Sequence, residues 1–166
     1  MVDPRVGTEF RVATTTAGAQ QASTAAALSA GGFVVGWVGD TTAGRNVFGQ
    51  RYAADGSRIS GEFAFAASTT DRQSEPAMVG TADGGFAVAW TSTGQDGSGK
   101  SIHARRFAPT GAALDVEFRL NTTVANDQAR PSIVFRNATD FLATWTSTAQ
   151  DGSMEGVYGQ RFSLAP

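Results

Sequence analysis

Three tryptophans, Trp37, Trp90 and Trp145, stand 53 and then 55 residues apart, and each closes the same kind of segment. The segments are Phe33-Val34-Val35-Gly36-Trp37, Phe86-Ala87-Val88-Ala89-Trp90 and Phe141-Leu142-Ala143-Thr144-Trp145. In the middle one Phe86, Val88 and Trp90 fall on one face and Ala87 and Ala89 on the other, the period-two pattern of a half-buried strand. A recurrence near fifty residues is the mark of a repeat architecture, and it restricts the fold more than any single motif.

The rest of the unit keeps step. Glu9-Phe10, Glu62-Phe63 and Glu117-Phe118 open the copies, and Gln20, Gln73 and Gln128 each stand three residues before Ser23, Pro76 and Pro131. After each Trp a polar loop leads to Gly49-Gln50-Arg51-Tyr52, Ala104-Arg105-Arg106-Phe107 or Gly159-Gln160-Arg161-Phe162. Copies at 7–60, 61–115 and 116–166 span nearly all of the 166 residues, which read as one repeat domain. Asp83-Gly84-Gly85 and Ala30-Gly31-Gly32 supply hairpin turns, because glycine reaches positive φ freely. The unit then predicts four strands in meander order: a segment from Pro76, one from Phe86, Ile102–Phe107 and Glu117–Asn121. Glu9–Val12 reads as a short strand of the last kind, and Thr24–Leu28 as a weak first strand. No segment combines helical periodicity with caps.

An all-β chain with about fifty residues per four-stranded unit suits a β-propeller blade or a β-trefoil repeat. Consecutive hairpins with a Trp closing the second strand favour blades, and the trefoil monomer stays as the alternative. Propellers have four to eight blades, so three do not close a ring. The chain opens on a fourth-type strand and ends on a third-type strand, Val157–Phe162. A partner's first strand would complete the last blade, so two copies predict a six-bladed homodimer without exposed edges.

Composition removes several function classes. The formal net charge is −2 and 17% of residues are charged, so the chain carries no electrostatic footprint for nucleic acid or an anionic membrane. No run approaches the roughly 18 apolar residues of a membrane helix. Cysteine is absent, which excludes thiolate metal sites and Cys nucleophiles. Arg outnumbers Lys, which occurs only as Lys100, a usage associated with bacterial proteins. Met1–Arg5 enters the first copy without a signal-peptide pattern.

Chemistry, if present, falls to the repeated slots. Trp37, Trp90 and Trp145 are either inter-blade core, each burying roughly 150–250 Å², or a platform for sugar rings. Arg51, Arg106 and Arg161 occupy one slot; they pair with Glu9, Glu62 or Glu117 or stack on Trp, or else form a ring of donors to anions and hydroxyls. Asp96 and Asp151 sit in Gln-Asp-Gly-Ser loops as Asx turns, or touch sugar or calcium. Calcium takes six to eight oxygens and each loop brings one carboxylate, so no cofactor or metal is expected beyond a faint calcium signal. His103, the single histidine, shares its slot with Phe48 and Tyr158 and reads as structural. The repeated Glu residues are equivalent to one another, whereas glycosidase chemistry needs two carboxyls in different environments.

The recurring Gly-Gly-Phe-x-Val-x-Trp, Gln-Asp-Gly-Ser, Gly-Gln-Arg-Phe and Glu-Phe-x-x-Asn-Thr elements resemble tandem repeats of about fifty residues in large secreted bacterial proteins of adhesin or RTX-like character. The resemblance implies propeller-like blades and an extracellular or cell-surface setting, and transfers no catalytic residue. Copy one departs from it, with Ser23 for proline and no Gln-Asp-Gly-Ser. The self-associating arrangement is similar at fold level to small propeller lectins. The expectation is a non-enzymatic, lectin-like or adhesive module that binds glycans or surfaces through inter-blade loops. The alternative is a structural or decoration module of a bacterial surface layer, large adhesin or virion.

Overall fold

The computed structural model describes residues 7–68, 71–137 and 139–163; Met1–Arg5 lie outside them. Among the described residues, eleven strands form three separate antiparallel sheets. The first holds β1 (Gln20–Ala27), β2 (Phe33–Thr41), β3 (Gly44–Tyr52) and β4 (Arg58–Ala64). The second holds β5 (Arg72–Gly80), β6 (Phe86–Thr93), β7 (Lys100–Phe107) and β8 (Phe118–Arg119). The third holds β9 (Gln128–Phe135), β10 (Asp140–Thr148) and β11 (Glu155–Ser163). Each sheet is a meander in chain order. Each fourth strand comes from the start of the next copy, β4 reaching into 61–115 and β8 lying in 116–166. The three sheets nevertheless share no strand pairing among the described residues, so the trefoil alternative, in which all copies share one barrel, does not describe this chain.

The hairpins sit where glycine permits them. Gly32 has φ +82°, and a Cβ there would lie 2.3 Å from the Tyr52 carbonyl oxygen, so the turn into β2 admits no side chain. The first strands of successive sheets run side by side, β1 beside β5 and β5 beside β9. A Cβ on Gly80 would stand 2.1 Å from the Ala27 carbonyl, which is how closely β5 approaches β1.

Two apolar layers hold the sheets together. Val34, Val38, Val47 and Phe65 of the first unit meet Phe86, Val88 and Trp90 of the second. Ala87, Ala89, Ile102 and Leu120 of the second meet Ile133, Phe141, Ala143 and Trp145 of the third. The alternation read from Phe86–Trp90 therefore serves two interfaces: large residues look back to the preceding sheet and small ones forward. A stacked ring pair caps each β2-type hairpin: Phe33 on Tyr52 at 4.9 Å, Phe86 on Phe107 at 5.0 Å and Phe141 on Phe162 at 4.7 Å.

Three expected strands differ. The one expected from Pro76 begins at Arg72, and Pro76 lies inside it at a β-bulge that leaves its missing N–H out of the ladder. Glu9–Val12 carries no strand assignment, because a strand needs an edge to pair with and no third-type strand of this copy lies beside it. The first strand begins at Gln20 rather than Thr24. A β-bulge between Gln21 and Thr24 breaks the register with β2, and so hides the alternation from a period-two reading.

Candidate functional site

The repeated aromatic slot lies inside the protein. Trp90 is 0% exposed, Trp37 4% and Trp145 6%. Trp90 and Trp145 fill the two inter-sheet layers, while Trp37 stacks on its cross-strand neighbour Phe48 at 6.4 Å on the flank of the first sheet. His103 takes the Phe48 position beside Trp90, 6.5 Å away. Burial pushes its pKa down, against the upward pull of Glu117 and Asp96, and Ser101 is its hydrogen-bonding neighbour at 3.1 Å.

The three arginines do not share one partner. Arg106 pairs with Asp115 at 2.7 Å, and Arg51 donates to the Thr110 carbonyl at 2.9 Å. Neither uses the repeated Glu expected from the sequence; Asp115 precedes Glu117 by two residues and meets the arginine first. Arg161 is exposed on β11 and lines a cleft of about 690 Å³ with Val134, Leu142 and Phe162. A second cleft, of about 470 Å³, lies between Trp37, Val35, Arg11 and Gln21. Asp96 and Asp151 each accept the N–H of the serine two residues on, at 3.1 Å, as Asx turns do. Beyond the turn they differ: the Asp96 side chain is 2% exposed and stands 3.6 Å from Arg119, whereas Asp151 is exposed.

The structure brings together a group that the repeat pattern concealed. Ala22, Glu75 and Arg130 occupy one slot in β1, β5 and β9, and all three have positive φ, at 52°, 52° and 57°. Each sits at the register shift of its sheet's first strand. Such bulges re-aim side chains and gather near functional sites. Here the carboxylate of Glu75 accepts from the Thr91 hydroxyl at 2.8 Å and from the Arg130 N–H at 2.9 Å. The Arg130 guanidinium lies 3.4 Å from exposed Glu155. A half-buried carboxylate held by a hydroxyl and by the backbone N–H of Arg130 thus stands at the inner strands, between the second and third sheets. The signal in the sequence was the residue before Ser23, Pro76 and Pro131, which changes from Ala to Glu to Arg while its surroundings repeat. Among the described residues, no three His, Asp or Glu side chains gather to hold a metal ion.

The fold has solved counterparts. The structure matches an endo-arabinase from Bacteroides thetaiotaomicron at a TM-score of 0.57 and 13% identity, covering 92% of this chain and 58% of that one. It matches a thermostable family-43 glycoside hydrolase at 0.57 and 10% identity, covering 89% of this chain and 59% of that one. The chain is β-propeller-like. No protein-family model and no curated protein matches its sequence. The chain spans less than two thirds of either matched structure, and those structures are five-bladed.

These matches correct one expectation. A chain read as non-enzymatic shares its scaffold with two glycoside-cleaving enzymes, so that exclusion does not stand. The chemistry it does present is partial: among β1, β5 and β9, Glu75 is the single carboxylate. Glycoside hydrolysis uses two carboxyls, about 5–9.5 Å apart.

Proposed function

We propose that this chain contributes blades to a propeller that recognises carbohydrate at its inner strands, around Glu75, Thr91 and Arg130. The observation that carries the reading is the shared bulge, which holds one backbone geometry in all three sheets and varies only the side chain. A carboxylate accepts from sugar hydroxyls, and a threonine hydroxyl both donates and accepts, so Glu75 beside Thr91 suits a polyol better than an anion. The scaffold supports the reading, because both matched structures are named as enzymes of glycosidic substrates. An extracellular or cell-surface setting, where polysaccharides are met, belongs to the same proposal.

The test is calorimetric titration with a panel of oligosaccharides that includes arabinan fragments, with release of reducing ends followed in parallel. Glu75→Gln should weaken the binding at least about tenfold, or about 1.4 kcal/mol, with an unchanged circular dichroism spectrum. A panel without any binder overturns the reading and favours the structural module of a surface layer, adhesin or virion.

A further inference from the structure

We propose that the two open flanks of the molecule are the two halves of one seam, closed by a second copy: residues Glu9–Val12 of one copy add as the fourth strand to β11 of another.

The chain shows twice how such a seam is built. In the first sheet Phe48 faces Ala64 and Gly49 faces Phe63; in the second His103 faces Arg119 and Ala104 faces Phe118. The residue that follows each fourth strand then donates back, Phe65 to the Val47 carbonyl at 2.9 Å and Leu120 to the Ile102 carbonyl at 2.8 Å. Carried to the third sheet by the repeat, these rules set Arg11 opposite Tyr158, Phe10 opposite Gly159, and the Val12 N–H on the Val157 carbonyl. The positions concerned are bare. Val157 is 82% exposed where Val47 and Ile102 are 0%, and Leu142 is 39% exposed where Val34 is 0% and Ala87 is 3%.

Charge selects the same occupant. In the second sheet Arg119 of the fourth strand stands by Asp96, and Gln95 hydrogen-bonds Glu117. The first sheet has no Gln-Asp-Gly-Ser loop, and its fourth strand carries Ala64 in place of the arginine. The third has Gln150 and Asp151 and, among the described residues, three strands, and a segment that matches the pattern, with glutamate and arginine at the right spacing, is Glu9-Phe10-Arg11. The glutamates agree: Glu62 accepts the Thr14 N–H and Glu117 accepts the Ala67 N–H. Glu9 of a second copy would take the equivalent N–H of Thr122.

The segment already lies where a preceding sheet's fourth strand would lie. Phe10 rests on Tyr52 at 5.4 Å, as Phe63 rests on Phe107 at 5.9 Å and Phe118 on Phe162 at 6.4 Å. Two copies related by a two-fold axis close two identical seams and leave no strand edge open. Six sheets fall within the four to eight blades that propellers adopt.

Absolute mass of the full chain, by light scattering after size exclusion, should be twice 17.2 kDa. Val157→Asp alters a residue exposed in a single copy, so it should give a folded monomer. Arg11→Asp and Asp151→Arg should each weaken self-association by about tenfold per seam, hence about a hundredfold over two seams, and together should restore it. Arg11→Cys with Tyr158→Cys, in a chain free of other thiols, should give a covalent dimer on oxidation. A wild-type monomer at every concentration overturns the proposal. So does a dimer indifferent to Val157→Asp, or a charge swap no better than its single variants.

Discussion

Gly49 is the position where one methyl group should test the packing most sharply. A Cβ there would lie 2.2 Å from the Phe65 ring, and Phe65 is 0% exposed. The ring has no room to withdraw, since Phe63, Phe107 and Phe86 surround it at 5.5, 5.4 and 6.1 Å. The equivalent pair in the second sheet is Ala104 with Leu120, a larger residue on the strand and a smaller one above it. Overpacking of this kind costs about 1–3 kcal/mol, and replacing Gly by Ala on an extended backbone returns about 0.4–1 kcal/mol through the unfolded chain. Gly49→Ala should therefore destabilise by up to about 2.6 kcal/mol, or up to about 10 °C in Tm for a chain of this size. Phe65→Leu alone should also destabilise, by opening space beside Gly49. The double variant rebuilds the pair of the second sheet, so it should be more stable than the two single effects predict, by about 0.5–3 kcal/mol. Chemical denaturation of the four proteins measures the coupling. Additive effects would show that Phe65 is not held by Gly49, and the packing argument would fail.

Other outcomes follow from buried groups. His103 has a folded pKa below the ordinary value because it is buried, so the unfolded chain takes up its proton first; stability is full above about pH 6.5 and falls as the pH drops, by at most about 1.4 kcal/mol per unit. His103→Phe, which copies the first sheet, should flatten that fall between about pH 7 and pH 5 in urea titrations. Trp90→Ala should cost about 3–5 kcal/mol in the same assay, and a smaller loss would place Trp90 outside the core. Arg106→Ala should cost under about 1 kcal/mol because its ion pair is partly solvated. Asp115→Ala should cost more, because its carboxylate also accepts the Arg106 N–H at 3.1 Å.

The repeat made the architecture legible. Each sheet keeps the meander order that the turns imply. Large residues at Phe86, Val88 and Trp90 against small ones at Ala87 and Ala89 read as a half-buried strand, whereas both faces of β6 are buried because alanine as well as phenylalanine packs against a neighbouring sheet. What escaped the reading depends on neighbours distant in sequence. Glu9–Val12 has the composition of β8 without its strand, because pairing belongs to the edge beside it and not to the segment. The Arg51 slot looked uniform, yet Arg106 finds Asp115 and Arg51 finds a carbonyl, since what lies opposite each arginine is not repeated.

The inner bulge shows why a site is harder to read than a fold. Positive φ would favour glycine or asparagine, yet the slot holds Ala22, Glu75 and Arg130, each bearing a Cβ penalty of about 1–2 kcal/mol. Local preference therefore does not make the bulge; the register of each first strand against its neighbour imposes it, with a proline following in two of the three copies. A conformation enforced from outside leaves the side chain free to differ. Averaging the copies keeps the positions that serve shape and erases this one, so the chemistry emerges only when equal geometry is compared with unequal residues. Glu75, joined to Thr91 and to the backbone of Arg130, is where that comparison leads.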